Sequence, residues 1–275
     1  MEDPYMSNAL NPQSLDTLCA ALAKIIGIEP PACAAAPARE LLDYAEKAFN
    51  GKNADRIFMY NPDAVAQWVY EKYPNFFKEV EAYTEQKMPF CTVMPSVTPV
   101  CFGTMYTGAQ PCVHGIQKYE KPVIKIDTIF DALIRAGKKP VIVADNKCSM
   151  GKIYLEREMD YFLYSSYEEV NAKAAELILD DQYDFICVYN GNYDSTMHKN
   201  GPESAISLAE LRANSRTFGI FAQMIKNHWK HHNTLVGFAM DHGCHEIDGE
   251  CGSHGLDMPE DLNITHFYGA YPAEK

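Results

Sequence analysis

Leu235-Val236-Gly237-Phe238-Ala239-Met240-Asp241-His242-Gly243 is an apolar run of strand length that ends on an aspartate, a histidine and a glycine. Two ligand-type side chains at the end of such a strand point into different parts of a cleft, and the glycine permits a sharp exit. The same letters also describe a capping aspartate beside a buried histidine. The surrounding chain decides between the two.

Apolar runs of this kind predict further strands over residues 55–60, 123–126, 140–144, 185–189 and 264–268, besides 235–240 itself. Helical spacing falls between several of them, at 64–73, 128–136, 167–179 and 204–229. That alternation predicts an α/β domain with a mostly parallel central sheet and helices on both faces. Two more helices are expected upstream. Leu15, Leu18, Ala21, Leu22 and Ile25 repeat at helical spacing behind Ser14, and residues 38–49 resume the pattern after Pro30-Pro31. Residues 1–50 therefore read as a helical N-terminal extension and residues 51–275 as a single α/β domain. With 47% hydrophobic residues in 275, the chain has enough apolar material for one large core.

Ligands of parallel sheets bind beyond the carboxyl ends of the strands. Asp63 follows the strand that stops at Tyr60-Asn61-Pro62, Asp194 follows the strand through Tyr189, and Asp241-His242 end the run quoted above. Three distant segments are thus delivered to one edge. Asp194 and His198, four residues apart, share a helix face, an arrangement that also suits a surface ion pair. His254 lies between Ser253 and Gly255 in a glycine-rich loop. Thr98 precedes Pro99, and proline suits the first position of a helix, which would make Thr98 a cap residue at an N-terminus favourable to a phosphoryl anion. Carboxylates and imidazoles gathered at chain turns are the ligands that hard or borderline divalent cations prefer, and a hydroxyl among them can be the nucleophile that such cations activate. Each segment alone has an ordinary explanation. Their joint occurrence, in order, favours a two-metal hydrolase.

Met94-Pro95-Ser96-Val97-Thr98-Pro99, continuing through Tyr106-Thr107-Gly108 to Pro111-Cys112-Val113-His114-Gly115-Ile116, resembles the nucleophile segment of the alkaline phosphatase superfamily in its nucleotide pyrophosphatase/phosphodiesterase branch. Asp194-x-x-x-His198 with Gly201-Pro202, Asp241-His242-Gly243 and His254-Gly255 are similar to that family's metal motifs. The resemblance runs from about Asp55 to Tyr268. It implies an alkaline-phosphatase-like fold and two divalent metal ions, zinc or else manganese. One ion would be held by Asp194, His198 and His254, the other by Asp63, Asp241 and His242 with the Thr98 oxygen beside it. It also implies a phosphothreonine intermediate and a small phosphodiester, nucleotide or related phosphate ester as substrate. Two departures stand out: Asp63 is followed by Ala64 instead of the usual glycine, and Cys101 occupies a place where phosphodiesterase relatives carry an asparagine that helps hold a phosphoryl oxygen.

Charge and composition narrow the alternatives. Against 37 Asp+Glu stand 24 Lys+Arg, and the net charge of −13 argues against a nucleic-acid polymer as partner. Nine cysteines, odd in number and scattered, read as reduced thiols and place the chain in the cytoplasm. Met1-Glu2-Asp3-Pro4-Tyr5 carries acidic residues where a secretory signal has basic ones, and no apolar run has the length of a membrane span. A homo-oligomer is compatible with all of this. Two other readings remain. A phosphomutase of the same superfamily would return the phosphoryl group to another substrate oxygen. In a different class, Cys244, His245, Cys251 and His254 could close a structural zinc site and make the protein a zinc-stapled binding module. The modification signal of sulfatases and the glycine-rich P-loop are both missing from the sequence.

Overall fold

The computed structural model describes residues 9–274; residues 1–8, with the acidic start at Met1-Glu2-Asp3, and residue 275 lie outside the described residues. Its strands are β1 (Arg56–Pro62), β2 (Gln86–Cys91), β3 (Pro140–Asp145), β4 (Asp160–Tyr164), β5 (Phe185–Asn190), β6 (Thr234–Phe238), β7 (His245–Ile247), β8 (Cys251–Ser253) and β9 (Asn263–Tyr271). Seven of them form one sheet in the order β2-β9-β6-β1-β5-β3-β4, and β7 and β8 make a separate hairpin. From β6 to β4 all neighbours are parallel, whereas β9 runs antiparallel to both β6 and β2.

The central strands are apolar without alternation because both faces are covered. Ile57, Phe58, Met59 and Tyr60 of β1 are all buried. On one face the long helix Ala205–His228 sets Phe221 against Phe58 and Tyr60, with ring centroids 5.6 and 6.0 Å apart, and Phe218 against Phe238 at 5.4 Å. On the other, Phe185 meets Phe130 of the helix Ile129–Arg135 at 6.0 Å, and Phe130 meets Tyr106 of the helix Thr98–Thr107 at 5.5 Å. Helix starts coincide with capping hydroxyls at Thr128, Ser166 and Ser204, each accepting a backbone N–H three residues on.

The first helix, Thr17–Ile25, begins later than a Ser14 cap would place it, because Ser14 forms a parallel bridge to Cys91 at the sheet edge. It buries Leu18, Cys19 and Leu22, and the Cys19 thiol reaches the Tyr106 carbonyl at 3.5 Å. The helix Arg39–Ala48 is tied to β9 by the Tyr44 hydroxyl, which accepts the Ala270 N–H at 3.0 Å. Both helices thus bury residues in the core that the sheet builds.

The structure departs from the sequence expectations at the sheet's margins. Residues 123–126 are irregular chain, with the Ile124 N–H donated to the Ile153 carbonyl at 2.8 Å, so their alternating isoleucines and lysine mark no strand. The two edge strands, β2 and β4, are not among those expected; β4 holds the short run Tyr161-Phe162-Leu163-Tyr164, while β2 lacks a continuous apolar run. In β2 Met88 and Phe90 turn inward while Lys87 and Pro89 face out, and proline is at home on an edge.

Two buried histidines brace the fold close to the site. His266 on β9 donates its Nε2–H to the Met240 carbonyl at 2.6 Å and accepts from the Tyr268 hydroxyl at 2.9 Å. His114 accepts the Ile116 N–H at 3.3 Å and donates to the Thr104 hydroxyl at 3.1 Å. Burial pushes both imidazoles from 6.5 down to about 4, so both stay neutral. A histidine whose folded pKa is depressed gives stability that is complete above its unfolded pKa and is lost as pH falls toward the folded value. His114→Asn has no imidazole to titrate, so the stability gap between wild type and this variant should narrow between pH 6.5 and about 4. Urea midpoints measured across that range check it, and a constant gap would contradict the neutral assignment.

Candidate active site

The carboxyl ends of β1, β5 and β6 open onto one edge, and the candidate ligands stand there. Asp63 leaves β1 with its N–H bonded to the Asn190 carbonyl at the end of β5, 3.0 Å away. The next residue, Ala64, takes φ 62°, the left-handed conformation that glycine adopts most easily, and gives its N–H to Asp241 Oδ1 at 3.3 Å. Asp194 and His198 lie one turn apart on the helix Asn192–Asn200. Asp241 and His242 follow β6 and are completely buried. His254 returns after the β7–β8 hairpin.

Among the described residues, two groups of three side chains could each hold a metal ion: Asp194, His198 and His254, and Asp63, Asp241 and His242. In the first, His198 Nε2 and His254 Nε2 lie 3.2 and 3.4 Å from Asp194 Oδ1 and 3.1 Å from each other. In the second, His242 Nε2 lies 3.4 Å from Asp63 Oδ1 and 3.2 Å from Asp241 Oδ2. Ligands about 2.0–2.1 Å from a tetrahedral zinc are roughly 3.3–3.4 Å apart, so both groups are spaced as ligands of a common cation. The groups are neighbours, with the His242 and His254 ring centroids 4.1 Å apart.

Hydrogen bonding selects the same atoms. Each imidazole gives its Nδ1–H to a main-chain carbonyl: His198 to Gly252 at 2.9 Å, His242 to Gly243 at 2.9 Å and His254 to Ser96 at 3.0 Å. The Nε2 lone pairs are thereby left facing the cluster, the tautomer that a metal ligand needs. Asp63 Oδ1, Asp194 Oδ1 and Asp241 Oδ2 are buried oxygens with no hydrogen-bond partner. Orphaned carboxylate oxygens aimed at unprotonated imidazole nitrogens fit a cation and little else.

The electrostatics agree. Burial, with the Asp194 charge, pushes Asp63 up to about 7 against the pull of a hydrogen bond from Tyr189, and burial with Asp63 raises Asp241 far above the usual carboxylate range. Burial works upward on Asp194 too, but positive charge on the neighbouring His198 and His254 side chains outweighs it and holds that carboxyl below its ordinary value. Burial drives His242 well below the usual imidazole range. Three carboxylates packed this closely keep their charges only beside compensating positive charge.

Thr98 is the first residue of its helix, with Val97 as the cap, so it sits one position further in than a cap. Its Oγ1 lies 3.3 Å from His242 Nε2 and 3.4 Å from Asp63 Oδ2, at the edge of the second group. Ser96 turns its hydroxyl to the Leu256 carbonyl at 3.4 Å, and Thr104 is inside the helix against His114. Cys101 is buried one turn on from Thr98, with its thiol toward the Val93 carbonyl at 3.8 Å. The proposed cysteine–histidine staple does not assemble. The Cys244 thiol is buried against the Tyr193 hydroxyl at 3.8 Å, His245 is bonded to Asp261, Cys251 points to the Ile247 carbonyl and His254 belongs to the first group.

Sequence reasoning missed Tyr189. Its hydroxyl makes a short hydrogen bond to Asp63 Oδ2, which leaves the orphaned Oδ1 for a cation. Its place as the penultimate residue of β5, at the carboxyl edge, was the available signal.

No family model matches the chain, and no curated protein matches it in sequence. Its backbone does match solved structures. Human ectonucleotide pyrophosphatase/phosphodiesterase 5 superimposes with a TM-score of 0.59 at 17% identity, over 70% of this chain and 58% of that one. The fold is alkaline-phosphatase-like. The murine counterpart gives 0.57 at 18% identity, again over 70% and 58%, and so does its inactive threonine-to-alanine variant in complex with AMP. Phosphonoacetate hydrolase from Sinorhizobium meliloti 1021, in complex with phosphonoformate, gives 0.52 at 17%, over 74% of this chain and 61% of that one. The chain thus spans less than two thirds of the length of each of these proteins. Among its described residues no helix is long and apolar enough to cross a membrane.

Proposed function

We propose that the chain is a two-metal phosphohydrolase that cleaves a phosphodiester, nucleotide or related phosphate ester through a phosphothreonine intermediate on Thr98. The observation that carries this reading is the pair of three-residue groups beside Thr98 Oγ1, spaced as cation ligands and holding carboxylate oxygens without protein partners. Asp194, His198 and His254 would hold one divalent ion, and Asp63, Asp241 and His242 the other. Their mixed imidazole and carboxylate donors suit zinc, with manganese as the alternative. When bound, such ions lower the pKa of a nearby hydroxyl and neutralise phosphoryl charge.

Thr98 Oγ1 is oriented by Asp63 and His242 at the positive end of its helix. Its hydroxyl proton is given up to solvent, the oxygen attacks phosphorus in line, and the leaving oxygen departs, taking a proton from water, as the new P–O bond forms. Water then cleaves the phosphothreonine and frees the hydroxyl. Two successive in-line displacements retain configuration at phosphorus. The inactive threonine-to-alanine variant of the murine neighbour supports a threonine in this role, and AMP and phosphonoformate in the neighbours support a small anionic substrate. A nucleic-acid polymer is disfavoured by the net charge of −13. Nine cysteines, none of them in a disulfide, fit a cytoplasmic setting.

The test is turnover of phosphomonoesters, phosphodiesters, phosphonates and sulfate esters by chelated protein with defined metals restored. Phosphate-ester cleavage should return with zinc or manganese and exceed sulfate-ester cleavage. Turnover that survives chelation, or none on any phosphorus substrate, would overturn the reading.

A further inference from the structure

Asp261 is completely buried on the short turn of helix Pro259–Leu262, immediately before β9. Both of its carboxylate oxygens are used. Oδ1 accepts the His245 Nδ1–H at 2.8 Å, and Oδ2 accepts the Leu256 N–H at 2.8 Å. Its main-chain carbonyl accepts the Gly243 N–H, also at 2.8 Å. Gly243 is pressed so closely onto this segment that a Cβ there would lie 2.0 Å from the Glu260 carbonyl oxygen.

These ties fall at particular places in the chain. Gly243 directly follows Asp241 and His242, and Leu256 follows His254 by two residues. Between them residues 244–255 leave as the β7–β8 hairpin and return to the cluster. One residue therefore stitches together both ends of an excursion whose departure carries two candidate ligands and whose return carries a third. No other role in the site draws on it, because it lies outside both ligand groups.

We infer that Asp261 is a positioning residue that sets the two metal half-sites relative to each other, holding Asp241 and His242 through Gly243 and holding His254 through Leu256. The inference rests on the two-metal reading. Its chemistry is that of an acceptor-only group between two donors. An asparagine there would offer one acceptor and one NH2: the NH2 either faces the Leu256 N–H, a contact between two donors, or faces His245, whose ring must then switch tautomer to accept it at Nδ1. In either orientation a charged acceptor is replaced by a neutral one, both ties weaken, and the return of the excursion at Leu256 loosens.

Isothermal titration of zinc into chelated wild type, Asp261→Asn and His245→Ala, each checked for folding by circular dichroism, tests this. Wild type should take up two ions. Asp261→Asn should bind the ion of the Asp194, His198 and His254 group about 10–100-fold more weakly, the usual consequence of losing a partner that orients metal ligands, and the other ion by less, because the Gly243 tie runs to the Asp261 main-chain carbonyl. The visible absorption of its cobalt-substituted form should shift because the coordination geometry has changed. His245→Ala removes a single tie through a partly exposed side chain and should weaken zinc by a smaller factor. It also keeps the inference testable if Asp261→Asn does not fold. A residue that only braces the fold would lower the melting temperature of the metal-free protein and leave zinc affinity and the cobalt spectrum as in wild type. That outcome, in whichever variant folds, overturns the inference while the two-metal reading stands. A wild type that binds fewer than two ions overturns both.

Discussion

Thr98→Ala should lose turnover by about 10⁴-fold or more, the scale on which removal of a catalytic nucleophile acts, while keeping its metal ions. The hydroxyl contributes no tie to the fold beyond its contacts with His242 and Asp63; the three candidate histidines keep their main-chain carbonyls, Asp241 keeps the Ala64 N–H and Asp63 keeps the Tyr189 hydroxyl. Thr98→Ser keeps the Oγ and should retain part of the activity. Its lower yield would reflect the lost methyl, which helps fix the rotamer of a β-branched side chain. Ser96 and Thr104 cannot substitute, since one hydroxyl faces the Leu256 carbonyl and the other faces His114. Steady-state rates with metal content measured on the same samples check this. Full activity in Thr98→Ala would show that the wrong hydroxyl has been assigned.

Asp241→Ala and His198→Ala should each abolish turnover and each cost one ion, from different groups. Asp241 is completely buried, and its Oδ1 also accepts the Ala64 N–H, so its removal strips a ligand and strands a donor in the second group. His198 is more exposed, and its loss opens the first group to water while Asp63, Asp241 and His242 remain together. Elemental analysis should therefore fall from two ions to one in either variant and to none in the double variant. Two ions retained in either single variant would remove that residue from the ligand set.

The parts of this molecule legible in the sequence are those with a continuous local signal. β1, β3, β5 and β6 are apolar runs covered on both faces, and each candidate ligand except His254 sits just past one of these strands or on the helix that follows one. Order along the chain was enough to place Asp63, Asp194 and Asp241 at one edge. What the sequence hid depends on partners far along the chain. The strand β2 looks polar because Lys87 and Pro89 face outward at the sheet margin. Tyr189 gains its meaning only from Asp63, and Asp261 only from His245 and Leu256. The resemblance that put Cys101 near a phosphoryl oxygen could not register that the thiol is directed at the Val93 carbonyl. The cysteine–histidine staple failed for a similar reason: short spacing brought four potential ligands together in the sequence, but the fold turns their side chains to different partners.

The central claim, that a phosphoryl group passes through the Thr98 hydroxyl, is tested most directly by trapping. Metal-loaded enzyme turning over a phosphodiester labelled on phosphorus is quenched in acid, digested and mapped by mass spectrometry. The label should appear on the peptide spanning Val97 to Tyr106, on Thr98, and should be missing from Thr98→Ala treated in the same way. A label on Ser96, or rapid turnover with no phosphorylated peptide under conditions that preserve phosphothreonine, would contradict it.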